Sequence, residues 1–127
     1  MSEEEEDELY YENLRKLAYN FENFYDDSYT KEPNEILYSG SSPTIVVTDD
    51  LSIFEEDKFI YKKVYYIIKN NLNQIITLHD AFKQIDNQVY ENMKNPFLIN
   101  YYRYNTHRFI EGYDKINDIT FELGCGS

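Results

Sequence analysis

Cysteine, glycine and proline are scarce in this chain of 127 residues. The single cysteine, Cys125, has no partner for an intrachain disulfide, which indicates a reducing compartment. Four glycines and three prolines are too few for a flexible linker, so residues 1–127 are predicted to form a single domain. No apolar run approaches the roughly 18 residues that a membrane span needs, and the acidic N-terminus is unlike a signal peptide. We therefore expect no membrane association and a location in the cytoplasm, in a host cell's cytoplasm, or in the nucleus.

Motifs for catalysis and for metal or cofactor binding are also missing. No Gly-x-x-x-x-Gly-Lys loop is present to hold a phosphate. The spacing of His79, His107 and Cys125 matches no zinc finger, and the acidic residues from Asp49 to Asp57 lack the spacing and central glycine of an EF-hand loop. No nucleophile stands near a base and an orienting group in a recognisable pattern. The sequence therefore predicts a non-enzymatic protein with no catalytic residues, no metal and no cofactor.

The net negative charge is large and comes from one part of the chain. Residues 1–57 carry 17 acidic and three basic side chains, a net charge of −14, whereas residues 58–127 have a net charge of +2. Such asymmetry is a hint of an electrostatic partner. The acidic part repels nucleic acid and anionic lipid, and it attracts basic protein surfaces of the kind that hold phosphates.

Residue types with AT-rich codons dominate the composition. Phe, Tyr, Met, Ile, Asn and Lys together account for 59 residues, against 12 for Gly, Ala, Arg and Pro. This bias predicts a gene from an AT-rich genome, such as that of a phage or virus, a low-GC bacterium or a reduced eukaryotic parasite. The 14 tyrosines are too many to be buried in one small core, so some are expected at the surface or at an interface.

Apolar periodicity predicts an α+β fold, a single compact domain with about three helices and a small, mostly antiparallel sheet. A first helix begins at Ser2, because Ser2 and Glu5 have capping-box spacing. Its acidic start, residues 1–8, is expected to fray. Its apolar stripe consists of Tyr10, Leu14, Leu17, Phe21 and Phe24.

Two further helices are predicted in the middle of the chain. One runs from Glu55 to about Asn70, because Ser52 and Glu55 again have capping-box spacing. The other runs from about Leu72 to Met93 and ends before Asn95-Pro96, where proline restricts the preceding residue. The expected buried stripes are Ile60, Val64, Ile67 and Ile68 in the former, and Ile75, Leu78, Phe82, Ile85, Val89 and Met93 in the latter.

The remaining segments are predicted to be strands and their connections. Glu35–Ser39 and Thr44–Thr48 are rich in β-branched and aromatic residues, and the turn Gly40–Pro43 between them suggests a hairpin. A polar connection at Asp26–Asn34 precedes this hairpin. Three more strands are predicted at Leu98–Tyr104, His107–Ile110 and Ile119–Leu123. The turns between them are expected near Asn105 and at Glu111–Asp114.

The C-terminal segment Ile119–Ser127 resembles the first motif of class I methyltransferases. In that family a strand ends in an acidic residue and a Gly-x-Gly turn that cradles S-adenosylmethionine. The resemblance implies those roles for Glu122, Gly124 and Gly126. The strands and helices that follow this motif in the family have no counterpart after Ser127, so a methyltransferase fragment is the third of three hypotheses.

The segment Tyr101–Phe109 combines arginines with aromatic side chains. Read as a strand, it places Tyr102, Tyr104 and Thr106 on one face and Tyr101, Arg103 and Asn105 on the other. Aromatic rings beside arginine can stack on unpaired bases and grip phosphates. The alternative is that the tyrosines are half-buried strand residues and the arginines pair with carboxylates. The candidate RNA contacts are Tyr101, Tyr102, Arg103, Tyr104 and Arg108.

The leading hypothesis is an acidic interaction protein that binds a basic, nucleic-acid-handling protein or complex and inhibits or regulates it, as nucleic-acid mimics encoded by phages and viruses do. The alternative is a dormancy or assembly factor associated with a ribosome or another ribonucleoprotein. For the leading hypothesis the candidate partner contacts are Glu3, Glu4, Glu5, Glu6, Asp7, Glu8, Asp26, Asp27, Asp49, Asp50, Glu55, Glu56 and Asp57.

Overall fold

The computed structural model describes residues 2–18, 35–71, 74–105 and 109–126. Helices and strands alternate irregularly along this part of the chain. In chain order the elements are α1 (Glu3–Ala18), β1 (Ile36–Ser39), β2 (Thr44–Glu55), β3 (Lys58–Lys69), β4 (Ile75–Thr77), α2 (Leu78–Asn92), α3 (Leu98–Tyr104), β5 (Phe109–Asn117) and β6 (Thr120–Gly126).

Two small sheets organise the described residues. The larger has the strand order β3-β2-β6-β5, and the smaller is the pair β1-β4. All neighbouring strands are antiparallel except β2 and β6, which run parallel with Val47 beside Phe121. The predicted α+β class with a mostly antiparallel arrangement is therefore confirmed.

The core lies where one face of the larger sheet packs against α2 and α3. Along β2 every second side chain from Ile45 to Ile53 is buried, as is Thr48 on the other face, and along β3 the buried residues are Val64, Tyr66 and Ile68. This period of two is that of a strand with one face covered. Helix α2 supplies the opposing surface through Leu78, Ala81, Phe82, Ile85 and Val89.

The predicted helix from Glu55 to Asn70 is wrong, since this segment forms the end of β2, a two-residue turn and β3. Ile60, Val64 and Ile68 are spaced by four residues, a spacing that fits a helical stripe and also falls on one face of a strand. Ile67 decides between the two, because it is 47% exposed while Ile68 is fully buried. β-Branched and aromatic residues fill the segment and favour the pleated conformation.

The predicted strand at Leu98–Tyr104 is also wrong, because these residues form α3. Asn95 Oδ1 accepts hydrogen bonds from the backbone N–H groups of Phe97 (2.8 Å) and Leu98 (3.2 Å). Asn95 thus acts as a cap, and Pro96 occupies the first-turn position that proline tolerates. The same Asn-Pro pair that ends one helix therefore begins the next.

Two turns expected from the sequence take other conformations. No hairpin joins β1 to β2: β1 pairs with β4, and β2 pairs with β3 along its whole length. The segment Glu111–Asp114 is not a turn, because it lies inside β5, and the turn to β6 comes at Asp118-Ile119. Of the predicted strand His107–Ile110, residues 109 and 110 belong to β5, while 107 and 108 lie outside the described residues.

The third predicted helix exists with a later start. Strand β4 occupies Ile75–Thr77, and α2 begins at Leu78 behind a capping box formed by Thr77 and Asp80. The Asp80 backbone N–H donates to Thr77 Oγ1 (3.2 Å), and the Thr77 backbone N–H donates to Asp80 Oδ2 (3.3 Å). Ile75 is 39% exposed, whereas the rest of the predicted stripe, Leu78, Phe82, Ile85, Val89 and Met93, is buried as expected.

Helix α1 confirms the first predicted helix. Its predicted stripe residues Phe21 and Phe24, and the predicted connection Asp26–Asn34, lie outside the described residues. Within the ranges that the structure describes, no helix is long and apolar enough to cross a membrane.

Candidate docking surfaces

Helix α1 presents a run of exposed carboxylates at its N-terminus. Ser2 caps the helix, since its Oγ accepts a hydrogen bond from the Glu5 backbone N–H (3.2 Å). The positive end of the helix dipole stabilises the acidic first turn, so the charge is compatible with a formed helix. Glu3 through Glu8 are all exposed, and within the described part of the chain none of them forms an ion pair.

An open groove of about 590 Å³ lies between this end of α1 and the C-terminal end of α2. Its charged and aromatic lining consists of Glu3, Glu4, Asp7, Glu8, Tyr90 and Lys94. Lys94 Nζ donates to Glu91 Oε1 (3.2 Å) and sits 5.0 Å from the Tyr90 ring centroid. That hydrogen bond, followed by the negative charges of Glu91 and Glu8, raises the pKa of Lys94. One lysine therefore faces four carboxylates, and the groove is strongly negative.

A second exposed acidic group lies at the tip of the β2–β3 hairpin. Glu56 and Asp57 form the two-residue turn with φ of 51° and 62°, and Glu55 pairs with Lys58 across it. Positive φ at both central positions is the requirement of a type I′ turn. All three acidic side chains are exposed, so these predicted contacts are accessible, although as a strand end and turn rather than a helix start.

The other predicted acidic contacts differ in accessibility. Asp49 is only 3% exposed, on the β2 face that carries Val47 and Leu51. Burial removes Asp49 from any docking surface, and its position in β2 explains why: it occupies an inward site of the alternating pattern. Asp50 is exposed and lies 3.8 Å from Lys63 Nζ across the strand pair. Asp26 and Asp27 lie outside the described residues.

The tyrosines proposed for RNA stacking are mostly inside the protein. Tyr101 and Tyr102 are 7% and 0% exposed on α3. The Tyr102 hydroxyl lies 2.8 Å from the Tyr66 hydroxyl and accepts from Asn92 Nδ2 (3.1 Å), so it belongs to a buried polar network. Side chains in such positions are not available to stack on bases.

Arg103 and Tyr104 remain exposed at the end of α3. Arg103 Nε donates to the Tyr10 hydroxyl (2.9 Å), and its guanidinium lies 5.8 Å from the Tyr10 ring centroid. Arg103 Nη1 also donates to Asn100 Oδ1 (3.3 Å). The guanidinium thus tethers α1 to α3, while Arg108 lies outside the described residues. Of the five candidate RNA contacts, Arg103 and Tyr104 are the two that the structure describes as exposed.

The outer face of the β2–β3 ribbon carries an aromatic cluster that the sequence reasoning missed. The Phe54 and Phe59 rings are 5.0 Å apart between centroids, and the Phe59 and Tyr61 rings are 6.2 Å apart. The signal was the placement of Phe59, Tyr61 and Tyr65 at even spacings along β3, which the helical interpretation obscured. The exposed members of the face are Phe54, Phe59, Tyr61, Tyr65 and Ile67.

Helix α2 clamps part of the free edge of β3. Gln88 Oε1 accepts from the Ile67 backbone N–H (3.0 Å), and Gln88 Nε2 donates to the Ile67 carbonyl oxygen (2.8 Å). Gln84 makes the same pair of bonds with the N–H (2.8 Å) and carbonyl oxygen (3.0 Å) of Lys69. Each side-chain amide thus makes the two hydrogen bonds that the backbone of a neighbouring strand would otherwise make.

The C-terminal glycines do not form the turn that the methyltransferase resemblance implies. Gly124 and Gly126 lie inside β6, opposite Gly112 and Phe109 of β5. Positive φ is confined to Glu56 and Asp57 in the described residues, so neither glycine has the left-handed conformation that favours glycine. The segment is a strand between β2 and β5, and the expected glycine turn is wrong for this fold.

Among the residues that the structure describes, no three His, Cys, Asp or Glu side chains are placed to hold a metal ion. The features available for binding are therefore the acidic end of α1, the acidic hairpin tip and the exposed face and edge of β3. Comparison with profiles of protein families, with curated proteins and with solved structures finds no match to this chain.

Proposed function

We propose that this chain is a non-enzymatic acidic interaction protein that binds a basic, nucleic-acid-handling protein or complex and inhibits or regulates it. The acidic end of α1 carries this proposal. Six consecutive carboxylates, Glu3 to Glu8, are exposed there, and four of them line one groove. A surface of this charge attracts a basic partner and repels nucleic acid itself.

The spacing of these carboxylates supports mimicry of a phosphate row. Side chains three and four residues apart on a helix are neighbours, about 5–6 Å apart at their Cβ atoms. Glu4, Asp7 and Glu8 have this spacing and face the same groove. A basic site that normally binds successive phosphates would find in these carboxylates negative charges at intervals comparable to those of the phosphates.

The partner is sought by affinity capture from lysate, with and without nuclease. Capture of a basic protein that resists nuclease supports the proposal. Loss of the captured complex on nuclease treatment would instead favour the ribonucleoprotein alternative, in which Arg103 and Tyr104 contact RNA. Binding of the captured protein is then measured by calorimetry between roughly 50 and 500 mM salt, because exposed charge pairs are screened beyond about 10 Å at 0.1 M. We expect a steep fall in affinity.

A pair of matched variants tests the location of the surface. Glu4→Gln with Asp7→Asn removes two charges from the groove, and Asp114→Asn with Asp118→Asn removes two exposed charges from the region of β5 and β6. We expect the first variant to bind the captured partner about fivefold more weakly at low salt, and the second to change affinity less than about twofold. Equal effects of both variants, or a flat salt response, would contradict docking through α1.

The binding of the Glu4→Gln with Asp7→Asn variant is comparable to that of the wild type only if the variant is folded. Removing acidic groups from a helix N-terminus costs about 0.3–1 kcal/mol each. That loss is too small to unfold a domain, and circular dichroism of each variant checks that helicity is retained.

A further inference from the structure

Strand β3 leaves alternate peptide groups on the open side of the larger sheet. In an antiparallel pair, alternate residues of each strand direct both N–H and C=O toward the partner strand. The hydrogen bonds from Gln88 and Gln84 show which residues of β3 these are, because the backbone groups of Ile67 and Lys69 that they contact point away from β2. By the same alternation Phe59, Tyr61, Lys63 and Tyr65 also direct their N–H and C=O groups outward.

Only the C-terminal part of this edge is covered in the described structure. Gln84 and Gln88 satisfy Lys69 and Ile67, whereas the outward N–H groups at Phe59, Tyr61, Lys63 and Tyr65 have no hydrogen-bond partner among the described residues. The open edge is therefore bounded by the glutamine clamp at one end and by the hairpin tip at the other. Its seven residues, 59–65, match the length of an ordinary strand.

The exposed aromatic side chains along the open edge can be covered by side chains of an added strand that point to the same face of the sheet. Phe59, Tyr61 and Tyr65 are 59%, 68% and 61% exposed on the outer face. A strand added to an edge gains main-chain hydrogen bonds from the edge and specificity from alternate side chains. Apolar residues of an added strand would cover these rings.

The charge of β3 is opposite to that of the chain as a whole. The strand carries Lys58, Lys62, Lys63 and Lys69 and no acidic residue, in a protein of net charge −12. The nearest opposing charges are Asp50, 3.8 Å from Lys63, and the acidic hairpin tip beyond Lys58. Lys62 is exposed and forms no ion pair with the described residues. Lys63 lies on the same face as the rings, whereas Lys62 lies on the opposite face. An added strand that lays apolar residues over the rings therefore directs its alternate carboxylates toward Lys62.

We propose that the β3 edge from Phe59 to Tyr65 is a strand-addition site for an extended acidic peptide segment of a partner protein. The segment pairs with the outward peptide groups, covers the exposed rings with its apolar residues and places acidic residues beside Lys62 on the other face. This surface is distinct from the acidic end of α1, so the protein has two docking surfaces of opposite charge.

A second copy of this chain is the less favourable occupant. Pairing two β3 edges brings the lysines of one strand against those of the other, and like charges on facing strands destabilise the pair. Lysine on an edge strand is a known device against self-association. The same lysines attract a strand rich in Glu or Asp.

The test uses a fluorescent seven-residue peptide with blocked ends that alternates Glu and Val. Its binding to the full chain is measured by anisotropy at low salt, beside two control peptides: one N-methylated at every residue and one with Lys in place of Glu. We expect the N-methylated peptide to bind at least tenfold more weakly, because it cannot pair with the edge, and the Lys peptide to show no binding. Nuclear magnetic resonance should show the shifts at the Tyr61, Lys63 and Tyr65 amides.

Two charge-matched variants complete the design. Lys62→Gln should weaken binding of the acidic peptide about threefold, whereas Lys115→Gln should leave it unchanged. Equal binding of the N-methylated peptide, or no binding of the acidic peptide, would overturn the proposal. If analytical ultracentrifugation shows a dimer, and Lys63→Pro dissociates it, the occupant of the edge is a second copy of this chain and not an acidic peptide. Failure here leaves the α1 surface untouched, because neither Lys62 nor Lys115 lines the groove beside α1.

Discussion

The substitution Asp57→Gly distinguishes the hairpin of this fold from the helix that the sequence suggests for the same residues. Asp57 has φ of 62° at the second central position of the β2–β3 turn. Glycine adopts positive φ without steric cost, whereas other L-residues are destabilised by about 1–2 kcal/mol in the left-handed conformation. The substitution therefore relieves strain in the folded state.

The expected gain is smaller than the strain because glycine also has more freedom in the unfolded chain. That entropy term costs about 0.5–1 kcal/mol. Asp tolerates positive φ better than most residues, which lowers the strain toward 1 kcal/mol. We expect Asp57→Gly to raise the free energy of unfolding by up to about 0.5 kcal/mol, equivalent to at most roughly 3 °C in melting temperature for a domain of this size.

A helix beginning at Glu55 predicts the opposite sign. Glycine inside a helix costs about 1 kcal/mol relative to a good helix former, and losing an acidic first-turn residue costs about 0.3–1 kcal/mol more. Urea and thermal denaturation followed by circular dichroism measure the change. Asp114→Gly is the matched control, since Asp114 is exposed in β5 without positive φ and should lose about 0.5–1 kcal/mol. Destabilisation of Asp57→Gly to the same extent as the control would refute the turn assignment.

Two further predictions concern the β5–β6 ribbon. Partial burial and the hydrogen bond to Glu35 Oε2 (3.0 Å) raise the pKa of Tyr113 from 10 to about 12, so the stability it contributes is complete below pH 10 and is lost as pH rises toward 12. Tyr113→Phe should therefore reduce the loss of stability across that window in urea denaturation, and an unchanged pH slope would contradict this role. Gly124→Ala should change the free energy of unfolding by less than about 1 kcal/mol, because the new Cβ would meet the Gly112 carbonyl oxygen at an ordinary 3.7 Å. S-adenosylmethionine binding by the wild type, lost in this variant, would revive the methyltransferase hypothesis.

Local patterns were sufficient where one element supplied its own signal. Helix α2 was predicted from the spacing of its apolar residues, and Leu78, Phe82 and Val89 are indeed buried. The cap at Ser2 was likewise visible, since the Glu5 N–H reaches its hydroxyl. Such contacts join residues three or four positions apart, so the sequence displays them directly.

The apolar pattern gave a wrong prediction where the helical period and the strand period fit the same residues. A spacing of four residues, as in Ile60, Val64 and Ile68, satisfies a helix and a strand face alike. The alternation of Val64, Tyr66 and Ile68 would have decided the matter had tyrosine been counted as a core residue. Tyr66 is fully buried, with its hydroxyl matched to that of Tyr102. The same error hid the candidate edge between Phe59 and Tyr65.

The sequence by itself determined the composition of the surfaces and the class of the fold. It placed the negative charge before residue 58 and supplied enough apolar residues for an α+β core. Only the tertiary structure decided which of those charges are accessible, burying Asp49 while exposing Glu3 to Glu8. It also decided the parallel pairing of Val47 with Phe121 and the clamp of Gln88 on Ile67. These contacts join residues far apart in the chain, and pairing of that kind depends on the packing of the whole sheet rather than on any local pattern.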